Sequence, residues 1–151
     1  MPGDLPVTRD DIDTIAAWTV IRAARELARR LAVELGPLDL SPVEFGVLVQ
    51  LAAADGLSQA DLARAVGIRP QSMTTLVAAL HGRGLVDRGT ERGRGRASRI
   101  TLTTAGGELL ARAHPLVLAS NDWFGDQGAV ALVTALRPLL ADTTGPADTL
   151  P

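Results

Sequence analysis

Apolar residues recur at helical spacing through most of this chain, with polar residues between them, which predicts a mostly α-helical protein. A long first helix is predicted from Thr8, which resembles an N-cap followed by acidic residues, to Leu35, where Gly36 and Pro37 stop it. Further helices are predicted to begin at Ser41, Ser58, Arg69, Thr103 and Gln127, and the last of them to end near Ala141.

A tight turn at Val66-Gly67-Ile68 separates the third and fourth predicted helices. In the fourth helix, the spacing i, i+3, i+4, i+7 defines a buried stripe of Met73, Leu76, Val77 and Leu80. The other faces carry side chains that can hydrogen-bond base edges or pack on a thymine methyl group. These candidate base readers, with the basic residue at the helix start, are Arg69, Gln71, Ser72, Thr74, Thr75 and Ala78. A merely solvated polar face is the alternative.

Two short stretches with alternating patterns follow, residues 85–88 and 99–103, and both are predicted to be β-strands. Gly93 and Gly95 lie in the loop between them and suit a hairpin tip. The order is therefore helix, turn, helix and basic wing, in which arginines could follow the DNA backbone into a minor groove. The predicted wing and backbone contacts are Ser58, Arg88, Arg92, Arg94 and Arg96; a disordered, solvated loop is the alternative.

Charge is distributed unevenly along the chain. Its 151 residues fit a single domain with a formal net charge of −2, but residues 57–104 hold eight arginines against three acids. That segment therefore carries +5 and the remainder −7. A concentrated positive field is typical of nucleic-acid binding, even where the whole protein is slightly acidic.

Several other classes of protein are disfavoured by the composition. The chain has no cysteine, which excludes disulfides and thiolate metal sites. His81 and His114 are isolated, and we interpret them as a helix-end side chain and a packed core or pocket residue, respectively. No motif indicates catalysis, so we expect no enzymatic activity, cofactor or metal. The sequence begins without a signal peptide and has no membrane-spanning run, which predicts a cytoplasmic protein.

Four motifs together resemble the MarR-type winged-helix transcriptional regulators, from about Asp10 to Ala141. They are residues 40–48 (LSPVEFGVL), 57–63 (LSQADLA), 80–88 (LHGRGLVDR) and 102–106 (LTTAG). The resemblance implies a single domain over 1–151, with dimerisation helices at 8–35 and 104–141 and a winged helix-turn-helix with a two-stranded wing at 41–103. Residues 142–151 would form a flexible tail. It also implies a fourth helix in the major groove, a wing in the minor groove and a small-molecule pocket between the two parts.

The chain departs from the family pattern at two positions. Arg94 stands where family members usually have an aspartate that braces the wing, which implies a looser wing. Thr75 replaces a common basic residue, which implies weaker anchoring in the major groove.

For an anionic or phenolic effector, the candidate pocket residues are Trp18, Arg22, Arg25 and His114. Core or dimer packing is the alternative for Trp18, and an i,i+4 pair with Glu26 is the alternative for Arg22.

The sequence thus predicts a homodimeric repressor that binds double-stranded DNA at a palindromic operator and responds to a ligand. The terminal helices hold more apolar positions than a winged helix needs for its own core, which suits a dimer interface; packing within one subunit is the alternative. Two other functions remain: a winged-helix adaptor that binds protein and not DNA, and an anion-responsive small-molecule carrier. An adaptor would have no use for the arginines of the wing.

Overall fold

The computed structural model describes residues 6–89 and 98–141, which form seven α-helices and three short β-strands. The helices are α1 (Arg9–Asp13), α2 (Ala16–Leu35), α3 (Pro42–Ala53), α4 (Gln59–Val66), α5 (Pro70–Gly82), α6 (Thr104–Ala119) and α7 (Gly125–Ala141). The strands are β1 (Leu57–Ser58), β2 (Val86–Arg88) and β3 (Arg99–Leu102), and 3₁₀ turns lie at Gly36–Leu38 and Ser120–Phe124. The predicted tail, 142–151, lies outside the described residues.

The predicted long first helix is wrong in one respect, because it is broken in two. Thr8 forms the expected capping box with Asp11, accepting from its amide nitrogen at 3.2 Å. The Thr14 hydroxyl then donates to the Asp11 carbonyl at 2.8 Å, and Ile15 adopts an extended conformation. A hydroxyl bonded to a nearby carbonyl competes with the helical hydrogen-bond ladder. The break places α1 against the beginning of α2.

The sheet contains one strand more than the sequence indicated. The two predicted strands, β2 and β3, pair in an antiparallel fashion, with Val86 opposite Leu102. The two-residue strand β1 pairs with the other edge of β3 and places Leu57 opposite Ile100. The strand order β1-β3-β2 therefore joins the entrance of α4 to the root of the wing. A strand of two residues has no periodicity that a sequence pattern can show.

The core lies where α3, α4, α5, α6, the sheet and the end of α2 meet. Its largest fully buried side chains are Leu35, Leu48, Leu62, Met73, Leu80, Val47, Val77 and Val86. Within residues 6–89 and 98–141, no helix combines the length and apolar character needed to cross a membrane.

The last helix differs from the others in its burial. No described residue of α7 is buried, and its main contact is the 3₁₀ turn that precedes it. Val130, Val133 and Leu139 are 66%, 52% and 70% exposed, respectively. The described part of one subunit therefore leaves Val130, Val133 and Leu139 largely uncovered.

Candidate nucleic-acid interface

Helix α5 presents the face that the sequence predicted. Pro70 occupies its first turn, where a missing N–H costs nothing, and Arg69 precedes it as an extended N-cap. Met73, Val77 and Leu80 are fully buried, which fixes how the helix is rotated about its axis. The predicted base readers are all exposed: Gln71, Ser72, Thr74, Thr75 and Ala78.

Helix α4 and a glycine turn hold α5 in place. Gly67 ends α4 at φ +75°, and its amide nitrogen donates to the Ala63 carbonyl at 2.9 Å. Leu62 and Ala63 are buried in the core. Because α4 is anchored and the turn is short, α5 lies across it in a helix-turn-helix arrangement.

A cleft of about 550 Å³ lies between the start of α4 and the root of the wing. It brings together two predicted backbone contacts, Ser58 and Arg88. The Ser98 hydroxyl donates to the Gly89 carbonyl at 2.8 Å and closes the base of the wing. The remaining predicted wing residues, Arg92, Arg94 and Arg96, lie outside the described residues. The cleft is lined by Ser58, Gln59, Ala60, Arg88, Gly89, Ser98 and Ile100.

The Ser58 hydroxyl is already occupied within the protein. It accepts from the Asp61 amide nitrogen at 3.1 Å and donates to Asp61 Oδ2 at 2.7 Å. The hydrogen bond from Ser58, aided by the nearby charge of Arg64, lowers the pKa of Asp61. The first turn of α4 therefore carries an ionised carboxylate, and Ser58 can donate to a phosphate only if its hydroxyl leaves Asp61.

Two arginines counted in the basic segment serve as internal braces. Arg83 donates to the Asp39 carbonyl at 2.7 Å and to Glu44 Oε1 at 3.3 Å, which ties the end of α5 to the start of α3. Arg99 donates to the carbonyls of residues 55–56 at 2.7 and 2.8 Å. These contacts hold both guanidinium groups in place.

The other three described arginines of residues 57–104 differ in their partners. Arg64 forms an ion pair with Asp61. Within the described residues, no acidic side chain pairs with Arg69 or Arg88. These two guanidinium groups, one at the start of α5 and one on β2, are the cations that a phosphate backbone could engage.

Gln59 makes a contact between helices that the sequence did not indicate. Its Nε2 donates to Thr74 Oγ1 at 2.5 Å, which links the first residue of α4 to the exposed face of α5. The contact joins residues fifteen positions apart, so no local pattern reveals it. Its position directly after the cap of the first helix of the motif is the one signal the sequence offers.

A second cleft of about 550 Å³ lies between α1 and α2. It brings together Trp18 and Arg22, two of the four residues predicted for an effector pocket, and adds Arg9. Arg25 does not line it. His114 is exposed on α6, so the packed-core interpretation of His114 is wrong, and its place in a pocket stays a prediction. Arg9 was overlooked because the break between α1 and α2 creates the cleft. The cleft is lined by Val7, Arg9, Ile12, Asp13, Trp18 and Arg22.

Arg22 does not form the i,i+4 ion pair with Glu26 that was the alternative interpretation of its role. Arg22 Nη1 lies 3.5 Å from Asp13 Oδ1, across the break, while Glu26 accepts from Arg29 and Arg30. Those hydrogen bonds, the one from Arg29 first, lower the pKa of Glu26 to about 2. The Arg22–Asp13 pair is exposed and therefore weak, which leaves Arg22 able to meet an anion.

Comparison with known proteins gives consistent matches. The family model described as "MarR family" matches residues 38–97. A curated HTH-type transcriptional repressor of Mycobacterium tuberculosis is 34% identical over 109 residues, covering 72% of this chain and 78% of that protein. The transcriptional repressor CouR bound to a 23-mer DNA duplex has a TM-score of 0.78 at 26% identity, covering 88% of this chain and 97% of that one. CouR bound to p-coumaroyl-CoA has a TM-score of 0.73 at 26% identity, covering 88% and 96%.

Proposed function

The chain belongs to the MarR family of transcription regulators, and from that premise we propose that it is a homodimeric repressor of a palindromic operator. The observation that carries the proposal is the exposed outer face of α5, flanked by Arg69 and Arg88, which pair with no acidic side chain in the described part of the chain. The protein acts by binding double-stranded DNA, without catalysis, and a small ligand releases it. We also propose that it acts in the cytoplasm, where a repressor would meet its operator.

In this proposal, α5 enters the major groove. Gln71 can pair bidentately with adenine, Ser72 and Thr75 can bond either kind of base, and Ala78 can contact a thymine methyl group. Arg69 and Arg88 engage phosphates on either side of the groove, which fixes the register of the helix. Arg92, Arg94 and Arg96 extend this contact into the minor groove, and Ser58 joins if its hydroxyl leaves Asp61.

Dimerisation supplies the symmetry of the operator. The described terminal helices expose apolar side chains that water would otherwise cover, and a second copy can bury them. Two α5 helices related by a two-fold axis would read half-sites about one helical turn apart. The apolar side chains proposed for the interface are Ile15, Ile21, Leu116, Leu118, Val130 and Val133.

The α1–α2 cleft is the proposed effector site. Trp18 offers a face for an aromatic ring, and Arg9 and Arg22 offer charges for an anionic group. The structural neighbour CouR has been captured with p-coumaroyl-CoA, a ligand with both features. We therefore propose an anionic aromatic effector, with Arg25 and His114 outside its first contacts.

Selection of duplexes from a random pool at two salt concentrations tests the DNA-binding proposal. We expect an inverted repeat. Arg69→Ala or Arg88→Ala should weaken binding to all sequences and flatten the log–log salt slope by about one unit per lost phosphate contact. Arg112→Ala, which removes an exposed arginine from α6, is the matched control. If neither variant changes the affinity or the salt slope, these arginines do not belong to the interface. If the wild type selects no DNA sequence, the protein-binding adaptor is favoured.

The effector site needs a separate test. p-Coumaroyl-CoA, used as a probe, should release the protein from the selected duplex and quench tryptophan fluorescence. Arg22→Ala should raise the ligand concentration required by about tenfold or more, because charge-assisted hydrogen bonds contribute about 1.5–3 kcal/mol. Arg112→Ala again serves as the control. A response that Arg22→Ala leaves unchanged would place the effector elsewhere.

A further inference from the structure

The contact between Gln59 and Thr74 determines what Thr74 can offer to DNA. Thr74 Oγ1 lies 3.1 Å from the Pro70 carbonyl oxygen and 2.5 Å from Gln59 Nε2. A carbonyl oxygen can only accept, so the single hydroxyl proton of Thr74 goes to Pro70. The hydroxyl must then accept from Gln59, which orients the amide with its nitrogen toward Thr74 and leaves its carbonyl oxygen for other partners.

This arrangement removes the hydroxyl as a donor. Thr74 is exposed on the outer face of α5, yet it retains only a lone pair and a methyl group for a ligand. The rotamer is also restricted, because threonine in a helix divides between two χ1 values and the hydrogen bonds with Gln59 and with the Pro70 carbonyl together favour one of them. The methyl group therefore has one defined position.

The chemistry suits one base better than the others. A thymine methyl group can pack against the Thr74 methyl, whereas the N7 and O6 acceptors of guanine would face a hydroxyl with no proton to give. Building on the proposed DNA-binding function, we propose that Gln59 is a specificity-determining residue that acts through Thr74. It holds Thr74 as an apolar reader of a thymine methyl group.

The site around Gln59 is consistent with a positioning role. Gln59 is half-buried and lines the cleft shared with Arg88, so a backbone held there passes beside it. It is the first residue of α4, and the capping hydrogen bond of that helix runs between Ser58 and Asp61, not through the Gln59 side chain. Gln59→Met keeps the length of the side chain and removes its hydrogen bonds without disturbing the helix start.

Uracil substitution in the selected duplex isolates the methyl group. Each thymine of a half-site is replaced in turn, and affinities are measured for the wild type and for variants whose melting temperatures match it. For the wild type, one position should lose about fourfold in affinity, the equivalent of one buried methyl group. Thr74→Val keeps the methyl and should retain that loss. Thr74→Ser removes it and should become indifferent to uracil at that position.

Gln59→Met supplies the decisive comparison. Without Gln59, Thr74 loses one of the two contacts that favour its rotamer, so its hydroxyl can turn from the Pro70 carbonyl toward a base. The penalty for uracil should then fall below about twofold, and guanine should be better tolerated. In the Thr74→Val background, Gln59→Met should leave the penalty unchanged, because no hydroxyl remains to be held. A thymine outside the half-sites is the control position.

The outcomes separate this inference from the proposed function. If the wild type selects an operator but Gln59→Met keeps the full uracil penalty, or Thr74→Val loses it, then Gln59 does not set the readout and the inference is overturned. If the wild type selects no DNA sequence, the proposed function fails and the inference fails with it. A thymine position governed by Thr74 and relaxed by Gln59→Met supports both.

Discussion

A single methyl group added at Gly106 should destabilise the folded protein. It lies in the first turn of α6, where its amide nitrogen donates to the Thr103 hydroxyl at 3.0 Å. A Cβ atom added here would overlap the carbonyl oxygen of Leu85 and come within 2.7 Å of Leu102 Cδ1. That carbonyl accepts from the Thr103 amide nitrogen at 3.2 Å, so it cannot move without disturbing the junction between α6 and the wing.

The adjacent glycine provides a matched control for the expected magnitude. Overpacking typically costs about 1–3 kcal/mol of folding free energy. The upper end of this range applies at Gly106, because the added Cβ would meet a backbone carbonyl that cannot rotate away. Alanine regains about 0.5–1 kcal/mol over glycine in a helix, so Gly106→Ala should destabilise by about 2 kcal/mol. A Cβ at Gly107 would meet Leu102 Cδ2 at an ordinary 3.9 Å, so Gly107→Ala should stabilise by about 0.5–1 kcal/mol.

Thermal unfolding followed by circular dichroism, at one fixed protein concentration, compares the two variants. A separation of about 3 kcal/mol corresponds to about 6–12 °C in Tm for a chain of this size, with Gly106→Ala the lower. A fixed concentration is needed because dimerisation contributes to apparent stability. Equal melting temperatures, or a more stable Gly106→Ala, would refute the packing argument.

Three further predictions concern local features of the fold. Gly67→Ala should cost about 1–2 kcal/mol in urea unfolding, since φ +75° strains an alanine although no atom lies within 4 Å; unchanged stability would contradict this. Ser41→Ala should cost about 1 kcal/mol by removing the hydroxyl that accepts from the Glu44 amide, while Ser41→Thr retains it; equal loss in both would exclude the cap as the cause. The pKa of Glu26 is lowered from 4.5 to about 2 by the hydrogen bond from Arg29, so its stabilising effect is complete above pH 4.5 and is lost as the pH falls toward 2; a carboxyl NMR titration centred near 4.5 would disprove it.

The positive surface of the described part is narrower than the arginine count implied. Arg83 and Arg99 reach carbonyl groups 44 and 43–44 residues away along the chain, and these contacts hold their guanidinium groups against the fold. No sequence pattern separates a bracing arginine from one that binds phosphate, because the side chains are identical and only their surroundings differ. Arg69 and Arg88 differ from the two bracing arginines because neither side chain has a hydrogen-bonded or ion-paired partner among the described residues.

The candidate site could be predicted in part. The exposed face of α5 followed from the buried stripe, since a helix with one face packed must present the other. The link from Gln59 to Thr74 and the grouping of Arg9 with Trp18 and Arg22 could not be predicted, because each depends on how separate helices lie against one another.

The amino-acid sequence by itself determined the local structure of this protein. Thr8, Ser41, Ser58 and Thr103 all cap the helices predicted to begin there, because a cap involves atoms only three residues apart. Tertiary structure alone decided the third strand and the carbonyl partners of Arg83 and Arg99. These features arise from contacts between segments that are distant in the chain, and their free energy exists only once the core has brought those segments together.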